Sequence, residues 1–267
     1  MGNAAAAATA DQAALLKVET SGSVLTVGLN RPAKRNALND GIILAIQDCF
    51  ANLPDDIGAV VIHGIGDHFS SGLDLSELTE QDATDGLRHS QMWHRVFDRI
   101  QYSRVPVIAA LKGAVIGGGL ELACAAHIRV AEPSAYFALP EGQRGIFVGG
   151  GGSVRLPRLI GVARMTDMML TGRVYSATEG ASYGFSQYLT EQGGALAKAM
   201  ELAAKVAANA PLTNFAVLQA LPLIAEANPQ TGLLMESLMA TVAQSDKEAK
   251  RRIKDFLDRK TAKVKPV

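Results

Sequence analysis

The sequence predicts an α/β body followed by a helical tail, and three observations carry that reading. Short apolar runs alternate with helix-period segments through the first half. Glycine clusters stand where strands hand over to helices. Beyond residues 149–152 the apolar period becomes almost wholly helical.

Residues 15–19 and 24–29 flank Ser21-Gly22-Ser23, which reads as a hairpin. Arg31-Pro32 marks a turn. Asn39 is placed to cap a helix whose apolar positions 42, 46, 49, 50 and 53 recur at helical spacing. A short buried strand is expected over 59–62, a helix around 91–100, and a buried strand over 105–111 that ends at Gly113. A helix over 120–125 begins after Gly119, and 127–131 returns to strand. Strands alternating with helices require parallel crossovers.

In the second half Leu196, Met200, Ala203 and Val206 form one helical stripe, and Leu234, Leu238 and Val242 another. A last helix turns Ile253, Phe256 and Leu257 to one side, supported by Glu248–Arg252 and Asp255–Arg259 pairs. Asn209-Ala210-Pro211 is a break. The expected organisation is a disordered tail over 1–12, an α/β body over 13–210 and a helical region over 211–267. A piece as small as the last buries its stripes only against the body or another subunit.

Apolar residues make up 48% of the 267, enough for a full core, and 26 basic side chains balance 26 acidic ones. Zero net charge gives no general attraction to nucleic acid or to an anionic membrane. No run approaches a membrane span, and residues 1–12 lack the basic and apolar regions of a secretory signal. Met1-Gly2 lacks the Ser or Thr that myristoylation requires at position 6, which is Ala6. Cys49 and Cys124 sit in apolar runs and read as buried thiols of a reducing compartment, so a cytoplasmic enzyme is expected.

Three glycine-rich segments carry the information: His68-Phe69-Ser70-Ser71-Gly72-Leu73-Asp74-Leu75, Gly117-Gly118-Gly119-Leu120-Glu121, and Pro140-Glu141 with Gly145 leading into 149–152. A phosphate loop would need Lys-Ser or Lys-Thr after its last glycine, and none occurs. The dinucleotide fingerprint is broken by Leu120-Glu121-Leu122. What remains is either tight strand-to-helix turns with no chemistry or backbone that approaches a ligand at a helix start, where free N–H groups favour developing negative charge. Two such groups from separate loops make an oxyanion hole. His63 with His68, and His89 with His94, are five apart and lack the frame of a helical metal pair, so no metal is expected.

These segments resemble the crotonase (enoyl-CoA hydratase/isomerase) family, marked by F-x-x-G-x-D, GGG-x-E and P-E-x-x-x-G motifs. Here they stand as Phe69 to Asp74, Gly117 to Glu121, and Pro140-Glu141 with Gly145. An L-x-R-P-x-x-x-N-A-L opening is present as Leu29-Asn30-Arg31-Pro32 with Asn36-Ala37-Leu38. The likeness is collinear over residues 25–160 and continues with R-L-P-R-x-x-G at 155–161 and L-T-G-R at 170–173.

The resemblance implies a ββα superhelix with a C-terminal helical oligomerisation region, forming homotrimers or dimers of trimers. It implies an acyl-CoA thioester substrate and no separate cofactor, coenzyme A being part of that substrate. The N–H groups of Leu73 and Gly118 would form the oxyanion hole, and Glu121 and Glu141 the acid/base pair, with Gly149 helping to fix a water. Ser71, Leu73 and Leu75 would line the adenine pocket, and Lys34 and Arg35 would meet CoA phosphates. Two carboxylates favour hydration of a trans-2-enoyl-CoA to a 3-hydroxyacyl-CoA. An isomerase, a lyase, a thioester hydrolase and a non-catalytic CoA-ester binding subunit are the alternatives. Val148 replaces the family's usual proline before Gly149, and Gln143 and Arg144 are more polar than the residues common there. If they faced the pocket, the acyl group would carry a polar or anionic end.

Overall fold

The computed structural model describes residues 15–77, 82–258 and 260. The expected tail over 1–12 and the Arg259 pairing lie outside these residues. The chain divides into two compact units, Met1–Ala207 and Ala208–Val267.

The first unit is built on a six-stranded sheet in the order β1-β2-β3-β4-β6-β9. Strands β1 (Leu16–Ser21) and β2 (Val24–Leu29) form the expected antiparallel hairpin, pairing Leu16 with Leu29 and Ser21 with Val24. Gly22 turns the chain with φ of 58°, a conformation that suits glycine. β3 (Ala59–Gly64), β4 (Val107–Leu111), β6 (Ile128–Ala131) and β9 (Tyr188–Leu189) add in parallel.

β3 reads as an unbroken apolar run because both its faces are covered. Val60 and Ile62 enter the main core with α1 (Asp40–Ala51) and α2 (Ala83–Gln101). Ala59 and Val61 face the opposite cluster with α7 (Ala195–Ala207). Asn39 caps α1 as expected, its side chain accepting from the Ile42 N–H at 3.1 Å. α2 starts earlier than expected, because Asp82 caps it through the N–H groups of Thr84 and Asp85, each at 2.8 Å. Its first two turns bury no residue, so the apolar period begins only at Trp93.

Two features depart from the expectations. A second, three-stranded sheet pairs β5 (Ala114–Ile116) with β7 (Tyr136–Ala138) in parallel, and β7 with β8 (Val174–Ser176) in antiparallel. With β9, β8 also corrects the expectation that the chain beyond 152 is almost wholly helical. Strands of two or three residues are too short to display a period of two. Of the expected stripe on α7, Ala203 is buried and Met200 and Val206 pack partly buried against the same cluster, while Leu196 is exposed; Ala195, Ala199 and Leu202 complete the buried face. The alanines let the helix lie close on the sheet.

The remaining helices of the first unit are α3 (Gly118–Ala125), α4 (Gly152–Ile160), α5 (Val162–Thr171) and α6 (Ala177–Tyr183). The second unit contains α8 (Pro211–Phe215), a π-helical turn over Ala216–Ala220, α9 (Leu221–Glu226), α10 (Pro229–Ser245) and α11 (Lys247–Leu257). Asn228 and Asp246 cap α10 and α11. The expected Glu248–Arg252 pair forms at 2.8 Å. Among the described residues no helix is long and apolar enough to cross a membrane.

Candidate active site

The loop after β3 is stitched on both sides. Leu38 N–H donates to the Gly72 carbonyl at 2.7 Å, and Asp74 N–H donates to the Leu38 carbonyl at 2.8 Å. On the other side Ser70 N–H donates to Ala114 at 2.9 Å, and Ile116 N–H to Ser70 at 3.1 Å. Leu73 lies between these anchors, and its own N–H has no acceptor among the described residues. Gly118 is the first residue of α3, where an N–H has no partner within the helix, and it too has none elsewhere among the described residues. The two segments meet at van der Waals distance. A Cβ on Gly72, whose φ is 89°, would lie 2.7 Å from the Ile116 carbonyl oxygen and 3.3 Å from the Gly118 nitrogen. Only glycine permits this approach.

Asp74 locks the loop to the turn at Pro32–Lys34. Its carboxylate lies 3.0 Å from Arg31 Nη2 and 2.9 Å from Lys34 Nζ. The Ser76 hydroxyl, followed by Lys34 and Arg31, holds Asp74 far below the usual carboxylate range against the opposing effect of burial.

Glu121 projects from the first turn of α3 and is 4% exposed. Its Oε1 accepts from the Gly150 N–H at 2.8 Å and the Gly152 N–H at 2.7 Å, at the start of α4. Burial raises its pKa, while those two amides, the Arg155 charge and the Gly149 amide act in the opposite sense. Glu141 stands three residues beyond β7 and is 7% exposed. Its Oε1 lies against the Gly117 α-carbon, where an added Cβ would approach to 2.6 Å. Its Oε2 is buried with no hydrogen-bond partner among the described residues. Burial, with a smaller contribution from the Glu121 charge, pushes the Glu141 pKa up to about 7, against the pull of Arg144.

Leu73, Gly118, Glu121, Glu141 and Gly149 all line one cavity of about 400 Å³. Trp93, Phe147 and Val148 form apolar parts of its wall. Trp93 packs beneath the start of α3 and meets Phe97 edge-on at 5.6 Å. Lys34, Arg35, Ser71 and Leu75 are outside this cavity. Lys34 is engaged by Asp74 and by Ser76 at 3.0 Å, and the Ser71 N–H donates to the Arg35 carbonyl at 3.0 Å. Gln143 and Arg144 are exposed and also outside, Gln143 donating to the Thr171 carbonyl at 2.9 Å.

Sequence reasoning missed the amides of Gly150 and Gly152 and the Ser90 hydroxyl, which donates to the Gly149 carbonyl at 2.7 Å. The signal for the amides was the glycine run at the start of α4. Ser90 had no signal, because α2 brings it to the loop from 59 residues away.

The sequence model of the enoyl-CoA hydratase/isomerase family matches residues 19–265. The chain is 34% identical over 246 residues to a 2,3-dehydroadipyl-CoA hydratase of Escherichia coli (strain K12), covering 91% of this chain and 95% of that protein. It is 30% identical to a short-chain-enoyl-CoA hydratase of Clostridium acetobutylicum, covering 91% and 94% respectively. A crystal structure from Rhodopseudomonas palustris CGA009, provisionally assigned as an enoyl-CoA hydratase, superposes with a TM-score of 0.91 at 80% identity. That match covers 94% of this chain and 97% of the other. The chain belongs to the enoyl-CoA hydratase/isomerase, or crotonase, family.

Proposed function

We propose that the protein adds water reversibly to a trans-2-enoyl-CoA, giving a 3-hydroxyacyl-CoA. The observation that carries this reading is the pair of buried carboxylates, Glu121 and Glu141, in one cavity with two acceptor-free amides. The thioester oxygen accepts from Leu73 and Gly118, each such donor being worth about 3 kcal/mol as enolate charge develops. Glu121, whose ionised form is supported by two amides, takes a proton from water as the water oxygen bonds to the β-carbon. The displaced π electrons pass towards the thioester oxygen, and Glu141 gives its proton to the α-carbon. Proton transfer from Glu121 to Glu141, directly or through solvent, restores the starting state.

Gly149 sits beside Glu121 and helps to hold the water. The backbone of Ser71, Leu73 and Leu75 receives the adenine, and Lys34 and Arg35 lie on the phosphate side. Coenzyme A enters as part of the substrate, and no separate cofactor is needed. Trp93, Phe147 and Val148 suit an apolar acyl chain. The two free thiols suit a cytoplasmic enzyme.

The test is incubation of the pure protein with trans-2- and 3-enoyl-CoAs of varied length, with products read by mass spectrometry. Gain of one water is expected. Conversion of 3-enoyl to 2-enoyl esters without water gain would replace hydratase by isomerase. Tight CoA-ester binding without conversion would leave a binding subunit.

A further inference from the structure

We propose that Arg155 is a positioning residue for Glu121: it fixes the loop over 149–152 so that two backbone N–H groups face the carboxylate. The inference rests on the hydratase reading for its consequence in turnover, and on geometry alone for its effect on Glu121.

Gly150 is held from both sides. Its N–H donates to Glu121 Oε1 at 2.8 Å, and its carbonyl accepts from Arg155 Nη1 at 3.0 Å. Rotating this residue's backbone would break both contacts together. Arg155 is itself anchored on α2, through Nε to Gln101 Oε1 at 2.6 Å and Nη2 to Asp98 Oδ1 at 2.5 Å. Its planar fork therefore ties three pieces together: α2, the first turn of α4 and the carbonyl of the glycine that supports Glu121. Gly151 has φ of 93°, and any Cβ there would collide with Arg155 Nη1, so the guanidinium packs on the bare α-carbon. Arg155 is buried and does not hydrogen-bond Glu121. Its action on the carboxylate passes through the Gly150 backbone and its own charge.

The charged and titratable groups around this arrangement come from every neighbouring element. Arg155 acts on Glu121, Glu121 acts on Glu141, and Cys124 on α3 feels the charges of Arg129, Glu121 and Arg155. Asp98 pairs with Arg155, and His94 lies against Gly151. Arg155 is the cation acting on Glu121 within this group. A lysine keeps the charge but cannot hold the Gly150 carbonyl, Gln101 and Asp98 with one planar group.

The test compares wild type with Arg155→Gln, Arg155→Lys and Asp98→Asn by two readouts. The first is titration of ¹³C-labelled glutamate carboxyls in the free enzyme, the Glu121 signal being assigned by its loss in Glu121→Gln. Arg155→Gln should move the Glu121 midpoint upward by about one pH unit. Arg155→Lys should return it only in part, because the charge is restored and the orientation of the Gly150 amide is not. The second readout is turnover: kcat should fall about 10–100-fold in Arg155→Gln with KM within about threefold, and Arg155→Lys should recover it only in part, because orientation is not restored. Asp98 is half exposed, so Asp98→Asn serves if Arg155→Gln does not fold, with a smaller shift in the same direction. An unmoved Glu121 midpoint overturns the proposal, as does a loss confined to KM. If wild type hydrates no enoyl-CoA, the hydratase reading falls, and the titration still decides the positioning role.

Discussion

Glu121 and Glu141 lie in one cavity, yet their surroundings differ in kind. Glu121 accepts two amide hydrogen bonds that favour its ionised form, whereas Glu141 has a buried oxygen with no partner among the described residues. Burial raises both carboxyls, and the Glu141 pKa of about 7 has a stability consequence. A carboxyl whose folded pKa lies above its unfolded value stabilises the fold while protonated, and that contribution is lost as pH rises through the folded value, here about 7. Glu141→Gln should melt higher than wild type at about pH 8.5 and close to wild type at about pH 5, by calorimetry. On the hydratase reading, kcat/KM in the hydration direction should decline as pH rises past about 7, where free Glu141 has lost the proton it would donate.

α3 shows how an element converts glycine into chemistry. Its first N–H meets the loop at Leu73 because Gly72, Gly117 and Gly118 all lack a Cβ at points of close approach. Gly118→Ala would bring a methyl to 2.9 Å from Trp93 Cζ3 and 3.5 Å from Leu73 N, crowding the thioester oxygen. Its kcat/KM should fall by about 100-fold, with free CoA binding unchanged by calorimetric titration. The glycine motifs make Leu73, Gly118, Glu121 and Glu141 legible in the sequence, since each belongs to a local backbone device. The hairpin, α1 and β3 are legible from period and capping. The second sheet is not, because β5, β7 and β8 are three residues each and owe their pairing to distant partners. Ser90 and the Arg155 clamp are also hidden, since they join α2 to the loop over 149–152 across more than fifty positions.

The second unit carries apolar faces that the monomer leaves exposed. Leu234 and Leu238 on α10 are 62% and 58% exposed, and Phe256 and Leu257 on α11 are 55% and 72% exposed. Such faces are the usual mark of a protein–protein contact, and closed symmetric assembly of the chain is the arrangement we propose to cover them. Sedimentation at micromolar concentration should give a trimer or a dimer of trimers. The double substitution Leu234→Glu with Leu238→Glu should shift the population to smaller species. A stable wild-type monomer would contradict this. The stripes are legible as helical periods, but their exposure depends on which faces the tertiary fold covers.

Central to the account is that Glu121 and Glu141 act on one water. The most direct measurement is a double-mutant cycle on enoyl-CoA hydration, with Glu121→Gln, Glu141→Gln and the pair compared in kcat. General acid–base roles predict a loss of at least about 100-fold for each single change, and a double mutant far less impaired than the product of the two. CoA-ester binding should survive throughout, because the proposed oxyanion donors are main-chain groups. Wild-type-like hydration by Glu121→Gln would contradict the account and leave Glu141 as the lone proton shuttle of an isomerase.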